Sequence, residues 1–114
     1  TVVDAAMNDL IRPALYEGYH EIHPLRRDPS AKTIAMDVVG PVCESGDFFA
    51  QDREIPALEA GDRVALLSAG AYGFVMSSNY NSRPLLPEVL VEGDRWRVIR
   101  ERQNYDDLIR GENL

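Results

Sequence analysis

The sequence is poor in cysteine and in lysine. Among its 114 residues only Cys43 is a cysteine and only Lys32 is a lysine, since the other 11 basic residues are arginines. A single cysteine excludes an internal disulfide and predicts a reducing, cytoplasmic compartment. Arginine binds carboxylates through a planar guanidinium, whereas lysine is the residue of imine chemistry. The basic side chains are therefore suited mainly to binding carboxylates.

Long apolar stretches, internal repeats and an excess of positive charge are also missing. No apolar run approaches the roughly 20 residues of a bilayer span, and no signal-peptide pattern opens the chain. The net charge of -7 argues against a nucleic-acid or anionic-membrane partner. The residues that are present, 45% hydrophobic and 27% charged, are typical of one globular domain.

Short β-rich runs separated by turn residues predict a mainly β fold, a small β-barrel or sandwich with short helices. The chain opens in what looks like mid-strand and without an initiator Met, so we expect it to be part of a longer protein. Residues 55–60 are predicted to be a connection. The predicted elements are a buried strand end at Thr1–Ala5, a helix capped by Asn8 or Asp9 and running to Tyr16, strands Thr33–Val39 and Arg63–Ser68, a hairpin of Pro87–Glu92 and Arg95–Arg100, and a last helix capped by Asn104.

The only cysteine lies in a stretch of turn residues. Gly40-Pro41 ends an apolar run, and Ser45-Gly46-Asp47 is turn chemistry, so Cys43 is predicted to lie where a strand gives way to a tight loop. A lone cysteine is more often a small buried hydrophobic residue than a functional one. The adjacent carboxylate of Glu44 favours the functional interpretation, because core packing does not need an acid there.

Three further clusters are candidate sites. Arg12 and Tyr16 are four residues apart and would share one face of a helix. Tyr72 lies between Gly70 and Gly73, where the backbone can approach a ligand closely, and residues 80–84 form a polar loop. The alternatives are a solvated arginine, a rim or core tyrosine, and an ordinary loop.

The two histidines are three residues apart, a spacing that suits metal binding on a helix. No third ligand accompanies His20 and His23, so no metal site is predicted. Both side chains are expected to be solvated near a helix end.

Together these stretches resemble the diaminopimelate decarboxylase family in its C-terminal half. The match runs from Val3 to about Asp107, and its most specific part is Cys43-Glu44-Ser45-Gly46-Asp47. Related ornithine and arginine decarboxylases typically carry Cys-Asp there, so Glu44 favours the diaminopimelate branch. The other matching stretches are Met7-Asn8-Asp9-Leu10-Ile11-Arg12-Pro13-Ala14-Leu15-Tyr16, Gly40-Pro41-Val42, Gly70-Ala71-Tyr72-Gly73 and Tyr80-Asn81-Ser82-Arg83-Pro84.

The resemblance implies a two-domain enzyme of fold-type III, with an N-terminal (β/α)₈ barrel and a C-terminal Greek-key β-domain. Residues 1–32 would then be the end of a barrel strand, a short helix and a connection, and residues 33–114 the β-domain. The implied cofactor is pyridoxal 5'-phosphate, the substrate meso-diaminopimelate and the product L-lysine. The implied partners are the barrel domain and a second copy of the protein, in a homodimer with shared active sites.

The resemblance also implies roles for single residues. Cys43 would be the catalytic proton donor, and Glu44 would contact the substrate from the neighbouring subunit. Arg12 and Tyr16 would bind the far end of the substrate, and Tyr72 would contact both substrate and cofactor. A thiol that donates a proton must not ionise early, and a neighbouring carboxylate disfavours the thiolate.

One part of the family pattern is missing from the chain. The lysine that bonds the cofactor and the glycine-rich phosphate loops belong to the barrel, and Lys32, in a polar connection, is expected to be a solvated side chain. We therefore expect the chain alone to be inactive. Two alternatives stay open: a decarboxylase of the same fold for another diamino acid, such as carboxynorspermidine or arginine, and a non-catalytic β-barrel that serves for binding or dimerisation.

Overall fold

One long antiparallel strand pair forms the centre of the computed structural model, which describes residues 1–26 and 28–113. Strand β2 (Thr33–Val39) pairs with β3 (Phe48–Pro56), with Thr33 opposite Pro56 and Val39 opposite Phe48. β-Branched and aromatic residues favour this pairing because their side chains pack well on a pleated surface. The connection between the two strands, residues 40–47, carries Cys43 at the end of the pair.

Two shorter strand pairs and several short helices surround this centre. In the described residues, β1 (Ile22–Pro24) pairs with β4 (Val64–Leu66) and β5 (Glu88–Glu92) pairs with β6 (Arg95–Arg100), both antiparallel, and the pairs do not close into a barrel. The mainly β prediction is therefore confirmed in the form of packed strand pairs. The remaining elements are α1 (Arg12–Tyr16), β1 (Ile22–Pro24), β4 (Val64–Leu66), α2 (Gly70–Gly73), 3-10 turns at Phe74–Met76 and Tyr80–Ser82, β5 (Glu88–Glu92), β6 (Arg95–Arg100) and α3 (Tyr105–Leu108).

The hydrophobic core lies where β2 and β3 meet the segment around α1 and β1. Phe49 and Val38 are its largest fully buried apolar side chains, with 1% and 0% of their surface exposed. Burying side chains of this size stabilises the fold by about 1.5–3 kcal/mol each. The buried members of the core are Leu10, Ile22, Val38, Phe49, Ala50 and Ile55.

Predictions that depend on local turn chemistry are confirmed. Strand β2 has the predicted bounds, and the β5–β6 hairpin turns at Gly93, whose φ of 64° suits glycine. Helix α3 begins with a capping box, in which Asn104 and Asp107 each accept a hydrogen bond from the other's backbone N–H.

The predictions near the N-terminus are partly wrong. The opening residues make only one parallel bridge, Val2 to Val39, and Val2 is 70% exposed and not buried. Asn8 does not cap α1, whose N-cap is Ile11. Instead, Asn8 is buried and donates its side-chain amide to the Ser78 carbonyl at 3.2 Å, a tertiary contact that local propensity does not reveal.

One strand was not predicted, and one strand boundary and one burial prediction are also wrong. Strand β3 is missing from the predicted elements and runs to Pro56, into the predicted connection, because its residues pair with β2. Strand β4 covers only Val64–Leu66 and is half-buried throughout. His20 is 1% exposed, not solvated, because its ring packs against the Leu67 carbonyl and the Arg12 guanidinium, whereas His23 is exposed as expected.

Candidate active site

The loop of residues 40–47 is held at its base by a buried carboxylate. Asp47 is 4% exposed, and its two carboxylate oxygens accept hydrogen bonds from the backbone N–H groups of Met7 and Val42, each at 2.7 Å. The Gly40 N–H donates to the Asp47 carbonyl at 3.0 Å and closes the loop. Hydrogen bonds to an ionised acceptor are among the strongest in proteins. The loop is therefore fixed to the segment before α1, while Cys43 at its tip is exposed.

Gly40 is required by the position of Asp47. A Cβ atom at residue 40 would lie 2.3 Å from Asp47 Oδ2 and 2.4 Å from Oδ1. Because two backbone N–H groups hold that carboxylate, it cannot move aside without losing them. The glycine at the start of the motif thus serves the close approach of Asp47.

Glu44 follows Cys43 and is held as an ionised carboxylate. Its Oε1 accepts from the Gly46 N–H at 3.2 Å, and its Oε2 accepts from the Tyr80 hydroxyl at 3.0 Å. These bonds, first the one from Gly46 and then the one from Tyr80, lower the pKa of Glu44 below its ordinary value. The bond to Glu44 raises the pKa of Tyr80, so the phenol keeps the proton that it donates. The side chain is suited to accept from a cationic group.

Arg12 and Tyr16 are joined on α1 as predicted. The Arg12 Nε–H donates to the Tyr16 hydroxyl at 2.9 Å, and the guanidinium lies 5.7 Å from the centre of the Tyr16 ring. Pro13 stands in the first turn, where its missing N–H costs little, and Glu17 ends the helix with a φ of 59°. The pair presents a guanidinium and a phenol side by side, a donor set for a carboxylate.

Close contacts bring the Cys43 loop, α1 and the Tyr80 segment together. A Cβ at Gly46 would lie 3.9 Å from Ala14 Cβ on α1, so the loop packs against that helix. The Tyr80 hydroxyl reaches the same loop through its hydrogen bond to Glu44 Oε2 at 3.0 Å. Three of the four predicted clusters are therefore neighbours.

Tyr72 is the candidate that the structure does not join to the others. It lies in α2 with 59% of its surface exposed. Within residues 1–26 and 28–113, no hydrogen bond or ion pair links it to Arg12, Tyr16, Cys43 or Glu44.

Two recesses of the described chain lie away from these side chains. One is a groove of about 1220 Å³ between the β1 region and the outer end of β3, and the other is a cavity of about 280 Å³ beside α2. Arg12, Tyr16, Cys43, Glu44 and Tyr72 line neither of them. Of the candidate residues, Arg12 is half-buried and the other four are exposed.

Comparison with known families agrees with the residue pattern. The model of the family described as "Pyridoxal-dependent decarboxylase, C-terminal sheet domain" matches residues 1–70. The chain belongs to this family. The matched range includes α1, the β2–β3 pair and the Cys43 loop, and thus Arg12, Tyr16, Cys43 and Glu44.

Relatives of this decarboxylase family resemble nearly the whole chain. Diaminopimelate decarboxylase of Zymomonas mobilis is 56% identical over 111 residues, 97% of this chain and 26% of the relative. The solved diaminopimelate decarboxylase of M. jannaschii, in co-complex with L-lysine, superposes with a TM-score of 0.91 at 40% identity, over 99% of this chain and 26% of that one. The Helicobacter pylori enzyme, complexed with L-lysine, gives 0.87 and 49%, over 96% and 27%. The chain spans about a quarter of the length of these relatives.

The only lysine of the chain is not suited to anchor a carbonyl cofactor. Lys32, the only lysine, is exposed in the connection before β2, outside the cluster of candidate residues. Amines that bond to carbonyl cofactors need a desolvated or cationic setting, which Lys32 lacks. Within the described residues, no group of three His, Cys, Asp or Glu side chains is arranged to hold a metal ion.

In that same part of the chain, no helix has the length and apolar content needed to cross a membrane.

The sequence does not reveal the contacts that Tyr80 and His20 make with candidate residues. The polar run at residues 80–84 drew attention without giving Tyr80 a role, because its partner Glu44 lies 36 residues away. His20 was placed in solvent, although its ring contacts Arg12 at 3.4 Å. A sequence signal for the Tyr80 contact is the single aromatic residue within a polar loop. No local sequence signal indicates the His20 contact.

Proposed function

We propose that this chain is the C-terminal part of a diaminopimelate decarboxylase, which converts meso-diaminopimelate to L-lysine. The observation that carries the proposal is the exposed Cys43 thiol beside an ionised, oriented Glu44 on a loop anchored in the core. Core packing does not require this arrangement, whereas a site that binds an ammonium group and delivers a proton does. The names of the relatives and the L-lysine in two of their structures support the choice of substrate.

The substrate has an amino-acid group at each end, so one end must be recognised while the other reacts. In the proposal, Glu44 accepts from the distal ammonium, and Arg12 with the Tyr16 hydroxyl binds the distal carboxylate. Glu44 is suited to this role because both of its oxygens are already oriented by Gly46 and Tyr80. A pre-oriented acceptor loses little conformational freedom on binding.

Cys43 has the role of proton donor. Pyridoxal phosphate, when bound, supplies the electron sink that makes loss of carbon dioxide from an amino acid possible. The Cys43 Sγ then delivers a proton to the carbon that has lost its carboxylate. Tyr72 is proposed to lie against substrate and cofactor, and its exposure leaves its ring accessible for such a contact.

The remaining parts of the site are proposed to come from outside this chain. An N-terminal barrel domain would supply the lysine that bonds the cofactor, so residues 33–114 would form the β-domain and residues 1–32 the junction. A homodimer would bring the Cys43 loop of one subunit to the barrel of the other. The chain alone is expected to turn over no substrate. The proposed location is cytoplasmic, in keeping with a single exposed thiol.

Glu44→Gln in the full-length protein tests the assignment of substrate. Losing a charge-assisted contact removes roughly 1.5–3 kcal/mol, so kcat/KM for meso-diaminopimelate should fall about ten- to a hundred-fold, with cofactor binding unchanged. Glu54→Gln, an exposed glutamate on β3, is the matched control. Unchanged kinetics would remove Glu44 from the site, and preferred turnover of arginine or carboxynorspermidine would point to the alternative decarboxylases.

Subunit mixing tests whether the site is shared. Cys43→Ala homodimers lack the thiol at both sites, and homodimers mutated at the barrel lysine lack that lysine at both. If the site is shared, refolding an equal mixture makes about half the dimers mixed, each with one complete site, so activity should return to roughly a quarter of wild type. No recovery, with exchange of subunits confirmed, would contradict shared sites and leave the substrate assignment standing.

A further inference from the structure

His20 is a buried imidazole that has no part in the proposed function. Its side chain is 1% exposed, whereas its neighbours Tyr19 and Glu21 are both exposed. Polar atoms as deeply buried as these need hydrogen-bond partners, since an unpaired one costs about 1–3 kcal/mol. Both ring nitrogens of His20 do have partners, and those partners define what the ring does.

The first partner fixes the tautomer. His20 Nδ1 lies 2.8 Å from the carbonyl oxygen of Leu67, and a carbonyl can only accept. Nδ1 therefore carries the hydrogen. The backbone of Leu67 is itself held in place, because the Leu67 N–H donates to the Glu21 carbonyl at 2.8 Å beside the β1–β4 pair. On the other side, Arg53 Nη1 donates to the His20 carbonyl at 2.6 Å. The imidazole is thus held both through its ring and through its backbone.

The second partner is the candidate substrate-binding arginine. His20 Nε2 lies 3.4 Å from Arg12 Nη1, and a guanidinium can only donate. With the hydrogen on Nδ1, Nε2 of a neutral ring is an acceptor and matches the Nη1–H. A ring protonated on both nitrogens would instead direct an N–H at the guanidinium.

Two of the three guanidinium nitrogens of Arg12 therefore have partners within this chain. Nε donates to the Tyr16 hydroxyl and Nη1 faces His20. In residues 1–26 and 28–113, no hydrogen bond or ion pair involves Arg12 Nη2. A planar guanidinium held at two nitrogens keeps one orientation, with the third nitrogen ready for an anion.

We infer that His20 is a positioning residue that holds the Arg12 guanidinium ready for the carboxylate of the substrate. This inference rests on the proposed function, because it is that function that gives Arg12 a substrate to bind. An arginine side chain loses conformational entropy when it is fixed in one rotamer. Because His20 fixes Arg12 in the folded protein, that entropy is lost on folding and does not weaken substrate binding. His20 acts on affinity for the substrate and does not touch the substrate itself.

Two amide substitutions separate the two ring contacts. In His20→Asn, the amide nitrogen occupies the place of Nδ1 and still donates to Leu67, but nothing replaces Nε2. In His20→Gln, the amide oxygen reaches the place of Nε2 and accepts from Arg12, but the bond to Leu67 is lost. The matched control is His23→Gln, since His23 is exposed and its ring, as far as residues 1–26 and 28–113 show, pairs with Glu21 alone, at 2.9 Å.

The kinetics of the full-length enzyme give the first readout. His20→Asn should raise KM for meso-diaminopimelate about threefold to tenfold with kcat little changed, as expected for one weakened hydrogen bond to a charged group. His20→Gln should keep KM near wild type even if it melts at a lower temperature. Equal KM changes in both variants, or none in His20→Asn, would overturn the inference.

A double-mutant cycle gives the second readout. If His20 acts through Arg12, then in an Arg12→Ala background the change His20→Asn should leave KM where it is. Additive effects would mean that His20 acts by another route and would overturn the inference.

The tautomer gives a readout that does not depend on turnover. The ¹⁵N spectrum of the histidine-labelled full-length protein, with His20 assigned by its absence in His20→Gln, should show hydrogen on Nδ1 and none on Nε2. Hydrogen on Nε2 would overturn the inference, because that nitrogen could not then accept from Arg12. A protein with the expected tautomer and no turnover of meso-diaminopimelate would instead contradict the proposed function and leave the His20–Arg12 contact standing.

Discussion

The two ends of this chain differ in how they are stabilised. Residues 1–56 contain all the buried apolar side chains of the described part, with Phe49 and Val38 at the centre. Among residues 74–113, as far as the structure describes them, no residue is buried, and Trp96 on β6 is 70% exposed. The first region has its own core, whereas the second presents apolar side chains that only another surface could cover.

The candidate site contains residues from both of these regions. Arg12, Cys43 and Glu44 belong to the region with the core, while Tyr80, which orients Glu44, belongs to the other. Helices and strands hold functional side chains in position more accurately than loops do. Arg12 stands on helix α1, and the loop that carries Cys43 is attached to the first region through Asp47. The hydrogen bond between Tyr80 and Glu44 is one of those that join the two regions, as is the bond between Asn8 and Ser78.

The largest expected effect is that of emptying the core. Phe49→Ala should lower the free energy of unfolding by about 3–5 kcal/mol, because it removes a fully buried aromatic side chain and leaves a cavity. Urea denaturation of the full-length protein, followed by circular dichroism, measures the change. A loss below about 1 kcal/mol would mean that the first region is not the core of the domain.

Trp96→Ala tests the other side of the comparison. In the isolated chain the change should alter the free energy of unfolding by less than about 0.5 kcal/mol, since the ring is mostly in solvent. In the full-length protein it should cost about 2–4 kcal/mol if another domain or subunit covers β6. Equal, small effects in both would show that the β5–β6 hairpin is a true outer surface.

Gly40→Ala tests how tightly the loop is tied to the core. The added methyl group would overlap the Asp47 carboxylate, so we expect a loss of about 1–3 kcal/mol in stability and a displaced Cys43 loop. Gly70→Ala is the matched control, since a Cβ there meets no atom within 4 Å. Similar stability of the two variants, measured by thermal unfolding, would contradict the close approach of Gly40 and Asp47.

The smallest effect concerns the hydrogen bond between Tyr80 and Glu44, one of those that join the two regions. Tyr80→Phe removes the donor to Glu44 Oε2, so the pKa of Glu44 should rise toward its ordinary value of 4.5 but stay below it, because the Gly46 N–H remains. A carboxyl-carbon NMR titration measures the shift. An unchanged pKa would show that the contact does not persist in solution.

The sign of the linked pH effect follows from the same shift. A carboxyl whose pKa is lowered in the folded state adds stability above its unfolded pKa and loses it as the pH falls through the folded value. The stability advantage of wild type over Tyr80→Phe should therefore shrink as the pH is lowered below about 4.5. Thermal unfolding at neutral pH and at pH values below this range gives the comparison.

Local chemistry allowed part of the fold to be predicted from the sequence. Gly93 and Asp94 mark the hairpin turn, and Asn104 marks the start of α3, since a single residue type decides each of these features. Strand β3 is not predicted from the sequence, because its polar run, residues 51–54, and its final Pro56 hide the alternation of a strand. Pairing with β2 overrides that local pattern.

In the candidate site too, contacts between residues close in sequence could be predicted and contacts between distant residues could not. Arg12 and Tyr16 could be joined in advance, because a helix places residues four apart on one face. The contacts of Tyr80 with Glu44 and of His20 with Leu67 span 36 and 47 residues. Periodicity and turn signals carry no information over such separations.

The closed base of the Cys43 loop also limits how this segment can change in evolution or in the laboratory. Only glycine at position 40 leaves the space that the Asp47 carboxylate occupies, so a larger residue there would displace that carboxylate. An insertion between them would pull Val42 away from the carboxylate that holds it. Side chains at the tip can therefore be exchanged one by one, whereas the length of the loop is fixed, and a designer would have to transplant it as a unit together with its anchor at Met7.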